Sequence, residues 1–251
     1  MNGTTKPTAI VLTGDGINCG DETSFALQLA GFDAHITHAS ELLKDAGRLK
    51  SAQLLAIPGG FSFGDEIASG KVMAIKLQAA MEKALVEFVD EGKLLIGICN
   101  GFQVLVQMGL LPESKKEGVR LASLSKNSGR KFINRWVQQS VDIKVACPWL
   151  EGLTDFDLPI RHGEGKLTPG KDLEETVKSQ AALRYATDVN GSFDRISGLT
   201  NTKGNVFGLM PHPEAFVRWT QHPSWTHLPS IPDKPPPGLR VFQNAYSMVT
   251  K

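Results

Sequence analysis

The residues best placed to do chemistry in this 251-residue chain are Gly97-Ile98-Cys99-Asn100-Gly101, a thiol held between two glycines. The apolar run Lys93 to Ile98 precedes it and a segment at helical spacing follows, so Cys99 falls on a strand-to-helix turn. A side chain on such a turn projects above the sheet edge, and flanking glycines are wanted because a Cβ there would meet backbone. The unpaired N–H groups that open the helix favour an anionic sulfur, the form that attacks a carbonyl carbon. The bland alternative is a small buried hydrophobe, and that is the reading for Cys19 and Cys147.

A nucleophilic thiol needs a base, and Met210-Pro211-His212-Pro213-Glu214 offers one after the apolar run Val206 to Met210. Each proline disfavours helix in the residue before it, so Met210 and His212 are expected to be extended. Residues two apart then face the same way, which lets Glu214 fix the His212 tautomer in a Cys-His-Glu triad. Acyl transfer also develops charge on a carbonyl oxygen. The backbone N–H of Asn100 and the loop Pro58-Gly59-Gly60-Phe61 are the expected donors for that oxyanion, where an ordinary tight turn is the alternative.

The elements that must hold these groups are legible as apolar runs. Thr8 to Leu12, Leu54 to Ile57 and Lys93 to Ile98 read as strands, each leading into a Gly-containing loop. Glu22 to Ala30, Val72 to Val89 and Phe102 to Met108 read as the helices that follow. Repeated strand, loop and helix is the signature of an α/β fold: an open, mostly parallel sheet with helices on both faces and ligands at the carboxyl ends of its strands. The later portion is β-rich, with strands expected at Phe132 to Val137, Val141 to Val145, Ala182 to Tyr185 and Val206 to Met210. No Ser- or Gly-rich linker divides the halves, so 1–251 is read as a single domain. His222 to Gly238 carries Pro223, Pro229, Pro232 and Pro235-Pro236-Pro237, and is expected as an extended surface loop.

Composition narrows the classes. The chain is 41% hydrophobic and 21% charged with a net charge of +1, which gives no reason to expect nucleic acid or an anionic membrane as partner. Three cysteines without a basic-then-apolar leader point to a reducing, cytoplasmic setting and not to a disulfide framework. Asn2-Gly3-Thr4 and Asn190-Gly191-Ser192 are glycosylation sequons only formally. His35, His38, His222 and His227 show no Cys or carboxylate at ligand spacing, so no metal site is expected. His162 and Glu164, two apart, are candidates for the active site or a partner surface, with a structural turn as the alternative.

Beyond these residues, the chain resembles the class I, triad-type glutamine amidotransferases over nearly its whole length. It is most similar to the glutaminase component of phosphoribosylformylglycinamidine synthase. The narrower likeness rests on Gly16-Ile17-Asn18-Cys19, Pro58-Gly59-Gly60-Phe61-Ser62-Phe63-Gly64-Asp65, Gly97 to Gln103, Arg135-Trp136-Val137, His162-Gly163-Glu164-Gly165, Asn190-Gly191-Ser192 and Gly204 to Glu214. The resemblance implies hydrolysis of glutamine to glutamate and ammonia, with a γ-glutamyl thioester on Cys99, proton transfer by His212 and orientation of His212 by Glu214. It also implies substrate contact by Gln103. The resemblance further implies that the ammonia goes to a separate ATP-dependent synthetase chain in purine biosynthesis, with a small third subunit as bridge in families with split subunits. ATP and magnesium would belong to that partner, leaving no cofactor in this chain.

The sequence departs from the family pattern at Gly14-Asp15-Gly16, Ile67-Ala68-Ser69-Gly70, Asp188-Val189-Asn190 and the Pro-rich insertion after Trp225. None of these touches Cys99, His212 or Glu214, so they bear on partner docking. Two other readings compete: a glutaminase serving a different ammonia-using synthase, and an α/β redox-sensor or binding protein with an elbow thiol. A sensor thiol has no need of a carboxylate-held histidine, which favours the enzyme.

Overall fold

A computed structural model describes residues 5–65, 67–114 and 119–251; the Asn2 sequon lies outside them. The chain opens with β1 (Thr8–Thr13), α1 (Gly20–Ala30), β2 (Asp33–His38), α2 (Ala39–Lys44), β3 (Leu54–Ile57), α3 (Lys71–Asp90), β4 (Leu94–Ile98) and α4 (Asn100–Gln107). It continues through β5 (Ala122–Lys126), β6 (Ile133–Val141), β7 (Phe156–His162), β8 (Glu164–Pro169), α5 (Glu174–Lys178), β9 (Leu183–Tyr185), β10 (Ile196–Thr200), β11 (Val206–Leu209) and α6 (Pro237–Thr250). Nine strands form one sheet in the order β2-β1-β3-β4-β11-β10-β9-β6-β7, and β5 pairs with β8 in a separate ribbon. From β2 to β11 neighbouring strands are parallel, and from β11 to β7 they are antiparallel. The fold is thus α/β on a mixed sheet, with the β-rich later portion forming its antiparallel half.

The three central strands explain where the site is. β3, β4 and β11 are buried at every residue, as continuous apolar runs shielded on both faces must be. Ile57 pairs with Gly97, and Ile98 pairs with Leu209. Three parallel strands therefore end side by side, and the segments that leave them carry Gly59-Gly60, Cys99 and His212. Helix layers of α1 with α6, and of α3 with α4, cover the sheet. Gly101 is required for the α4 layer to sit this close, since a Cβ there would lie 1.8 Å from the Ile57 carbonyl oxygen.

Two expectations need correction. Val141 to Val145 is not a strand: β6 ends at Val141, where the Asp142 side chain accepts from the Lys144 N–H at 3.0 Å and its carbonyl accepts from Val145 N–H at 3.1 Å, closing a turn. The Pro-rich segment runs as an exposed loop with a short 3₁₀ turn at Trp225–His227, but its last proline starts a helix. Pro237 occupies the first position of α6, where its missing N–H costs nothing. Val241, Phe242 and Ala245 then bury that helix against the core. Among the described residues, no helix is long and apolar enough to cross a membrane.

Candidate active site

Cys99 closes β4 with φ 50° and ψ −103°, a backbone that side chains other than glycine adopt at a cost of roughly 1–3 kcal/mol. The turn is held from both ends: Cys99 N–H donates to the Leu209 carbonyl of β11 at 2.8 Å, and Gln103 N–H donates to the Cys99 carbonyl at 3.0 Å. The thiol is 5% exposed, with Sγ 3.7 Å from the Arg161 carbonyl oxygen. As the residue that opens α4, Asn100 presents an N–H with no partner inside the helix.

His212 arrives from β11. Its backbone is extended, with φ −105° and ψ 90°, and its N–H donates to the Pro159 carbonyl at 2.9 Å, which ties it to β7. Nδ1 of the ring lies 2.6 Å from Glu214 Oε1, and both side chains are almost wholly buried. Strand alternation does not produce this contact. Pro213–Ala215 forms a 3₁₀ turn, and the turn folds the Glu214 carboxylate back onto the ring. Burial opposes charge on His212, but the Glu214 carboxylate, and then the Cys99 sulfur, outweigh it and hold the imidazole well above its usual range. The charge on Glu214 thus favours a proton on the His212 ring. Nε2 itself is buried without a hydrogen-bond partner among the described residues, free for a reacting group.

The loop after β3 is clamped beside Cys99 by the Asn100 side chain. Asn100 accepts from Ser62 N–H through Oδ1 at 3.2 Å and donates through Nδ2 to Asp65 Oδ1 at 3.1 Å and Gln103 Oε1 at 2.9 Å. Gly59 must lack a side chain, because a Cβ there would come within 2.7 Å of His212 Cε1. The oxyanion reading for Phe61 meets an obstacle, since its N–H donates to the Gly16 carbonyl at 2.8 Å. That bond belongs to an antiparallel bridge between Ile17 and Gly60 that leaves the Gly60 N–H outside the pair. Gly60 and Asn100 are then the better-placed donors.

A cleft of about 120 Å³ opens beside the thiol, lined by Gly60, Phe61, Asp65, Cys99, Gln103 and Glu164 among others. Gln103 reaches it, yet its amide is spent on Asn100 and on the Glu164 carbonyl, so it braces two walls of the cleft. Glu164 accepts from Ser69 N–H at 3.1 Å. Burial, together with the Glu164 charge, raises the Asp65 carboxyl against hydrogen bonds from Ser69, Gly70 and Asn100.

His162 lines the same cleft, but its ring nitrogens face Asn127 Oδ1 at 3.1 Å and the Tyr185 hydroxyl at 3.3 Å. These partners suit a neutral ring that donates from Nδ1 and accepts at Nε2. Burial, and then the charge on His212, push it down to about 4. The native state thus resists a proton that the unfolded chain takes up near 6.5, so stability is fully present above that value and is lost as pH falls toward 4. Urea unfolding at pH 7 and at pH 4.5 should differ by about 2 kcal/mol from this group, and His162→Gln should reduce that difference.

Sequence reasoning missed two features. Cys19, read as inert, ends the loop after β1 and borders the His212 ring: the point where a Gly59 Cβ would sit is 3.3 Å from Cys19 Sγ and 3.4 Å from His212 Nδ1. Its place just past the carboxyl end of a parallel strand was the available signal. Phe61 and Phe132 were not read as a pair; they stand 44% and 53% exposed with ring centroids 6.2 Å apart at the mouth of the cleft. Cys147, read as a small hydrophobe, has its thiol pushed up to about 12 by burial.

Residues 6–249 match the family described as CobB/CobQ-like glutamine amidotransferase domain. The chain is 37% identical over 254 residues to the phosphoribosylformylglycinamidine synthase subunit PurQ of Dehalococcoides mccartyi, covering 96% of each. It is 38% identical over 218 residues to the PurQ of Thermotoga maritima, covering 84% of this chain and 89% of that relative. A chain in the solved structure of PurLQS from Thermotoga maritima superposes with a TM-score of 0.78 and 33% identity, covering 98% of this chain and 100% of that one. A glutamine amidotransferase from the same organism, at 13% identity and a TM-score of 0.52 over 89% of this chain and 82% of its own, shares the fold alone.

Proposed function

The chain belongs to the CobB/CobQ-like glutamine amidotransferases, among the PurQ subunits of phosphoribosylformylglycinamidine synthase, and from that membership we propose that Cys99, His212 and Glu214 hydrolyse glutamine for a separate synthetase. The observation that carries the assignment of the triad is the buried 2.6 Å contact of His212 with Glu214 beside an elbow thiol in left-handed backbone.

The Cys99 thiolate adds to the carboxamide carbon, and the oxyanion so formed is met by the N–H groups of Asn100 and Gly60. His212 then gives its Nε2 proton to the departing nitrogen, the C–N bond breaks, and ammonia leaves a γ-glutamyl thioester on Cys99. Consuming the thiolate removes one of the charges that held the imidazolium. The ring is thereby readied to accept a proton from water in the second half, in which hydroxide displaces sulfur and glutamate departs. One group serves as acid and then base because the reaction itself changes the charge beside it.

Ammonia would pass to an ATP-dependent synthetase chain that makes formylglycinamidine ribonucleotide, with a small bridging subunit, in the manner that PurLQS of Thermotoga maritima is named for. ATP and magnesium would act there, and the setting would be the cytoplasm. The exposed Phe61–Phe132 pair beside the oxyanion loop is what a docking partner would cover. Glutamine hydrolysis should therefore rise by about 10²-fold or more when the synthetase and bridging chains are added, the scale of one oxyanion donor brought into place. Equal rates with and without them would contradict gating by the partner.

A further inference from the structure

Cys19 has no part in the hydrolysis described above, yet it completes a set of three different metal-ligating groups. A ligand atom from each of Cys19, His212 and Glu214 lies within 4.8 Å of the other two. Tetrahedral zinc places its sulfur, nitrogen and oxygen ligands roughly 3.3–3.8 Å apart, so a rotation of one or two side chains closes the set. Mixed thiolate, imidazole and carboxylate ligation suits Zn²⁺ and leaves out Mg²⁺ and Ca²⁺, which take oxygen. A second observation points to a cation: Glu214 Oε2 is buried with no hydrogen-bond partner, although Oε1 of the same carboxylate is engaged by His212. A carboxylate oxygen shut away from donors is costly to keep, and a cation at this place would satisfy it. The Cys19 sulfur contacts Asn18 Oδ1 at 3.3 Å, and a Cβ on Gly59 would sit 3.3 Å from Cys19 Sγ and 3.4 Å from Nδ1 of the ring, the nitrogen that faces Glu214.

We propose that Cys19, His212 Nδ1 and Glu214 form an inhibitory Zn²⁺ site that takes the triad apart. Binding releases the thiol proton of Cys19 and the Nδ1 proton of His212 to solvent, and Zn²⁺ replaces the hydrogen in the Nδ1–H···Oε1 bond. The ring then holds metal at Nδ1 and a proton at Nε2. It has no lone pair to accept a proton and, as a neutral N–H, is far too weak an acid to release ammonia. The ligand set is argued from geometry alone, whereas the loss of activity rests on the triad proposed above.

The test uses Co²⁺ as the spectroscopic probe and Zn²⁺ as the inhibitor on the full chain. One Co²⁺ should bind with a sulfur-to-cobalt charge-transfer band that persists in Cys99→Ser and is lost in both Cys19→Ser and Cys19→Ala, each first shown to melt like the parent. Glu214→Gln should keep the band at saturation while weakening affinity by about 10–100-fold. Each protein's hydrolysis rate, taken relative to its own metal-free rate, should fall at least about tenfold with Zn²⁺ in the parent and recover on chelation, with the response weakened in the Cys19 variants. No band in the parent, or a band that survives loss of Cys19, overturns the site. A band that follows Cys19 without any loss of rate upholds the ligand set and overturns the inhibitory claim, and would count against His212 as the proton carrier.

Discussion

Cys99→Ala should lower glutamine hydrolysis by at least about 10⁴-fold, while the assembled complex supplied with ammonium salt still makes its product. The expectation follows from covalency: without sulfur no thioester forms, and water attacking the amide directly keeps only oxyanion and binding assistance. The fold should tolerate the change. The side chain is small, and the restraints on the elbow are the backbone bonds of Cys99 to Leu209 and Gln103. Alanine carries the same Cβ that cysteine already places at φ 50°, so the turn takes on no new strain. Ammonia-dependent synthesis separates the two sites, since loss of both activities would point to failed assembly.

Glu214→Gln should lower kcat by about 10³–10⁴-fold with little change in KM. Glutamine at 214 keeps the shape of the carboxylate but removes the charge that outweighs the burial of His212. The amide can also donate to Nδ1, which holds the ring in the wrong tautomer. The pH profile supplies a signature that a merely structural role would not. Catalysis that needs imidazolium is lost as pH rises through the raised value of His212, so the variant should lose its residual rate at lower pH than the parent. A rise in KM at unchanged kcat would instead place Glu214 against the substrate.

The central chemistry was legible because it follows from strand ends. The apolar runs at Leu54, Lys93 and Val206 marked three strands, and the residues after them are Gly59-Gly60, Cys99 and His212, the proposed loop, nucleophile and base. What sequence could not supply was their order in the sheet, which places β11 beside β4 although Val206 lies far along the chain from Leu94. The pairing of His212 with Glu214 was read correctly from the wrong local geometry: extended backbone was expected to align them, and a 3₁₀ turn does so. Strands β2 and β7 sit at the two edges of the sheet and escaped notice. In Asp33–His38 most side chains face solvent, so no apolar run announces it. Cys19 escaped for a different reason. Its neighbours in sequence say nothing of His212, and only the bridge between Ile17 and Gly60 brings the first loop onto the base.

The most direct test of the triad is a mass-spectrometric one: intact protein treated with an electrophilic glutamine analogue, followed by peptide mapping, with Cys99→Ser and Cys19→Ser run alongside in the presence of the synthetase chain. The account predicts one adduct per chain, located on Cys99, formed at full stoichiometry in Cys19→Ser and absent in Cys99→Ser. An adduct on Cys19, or none on the parent protein, would contradict it.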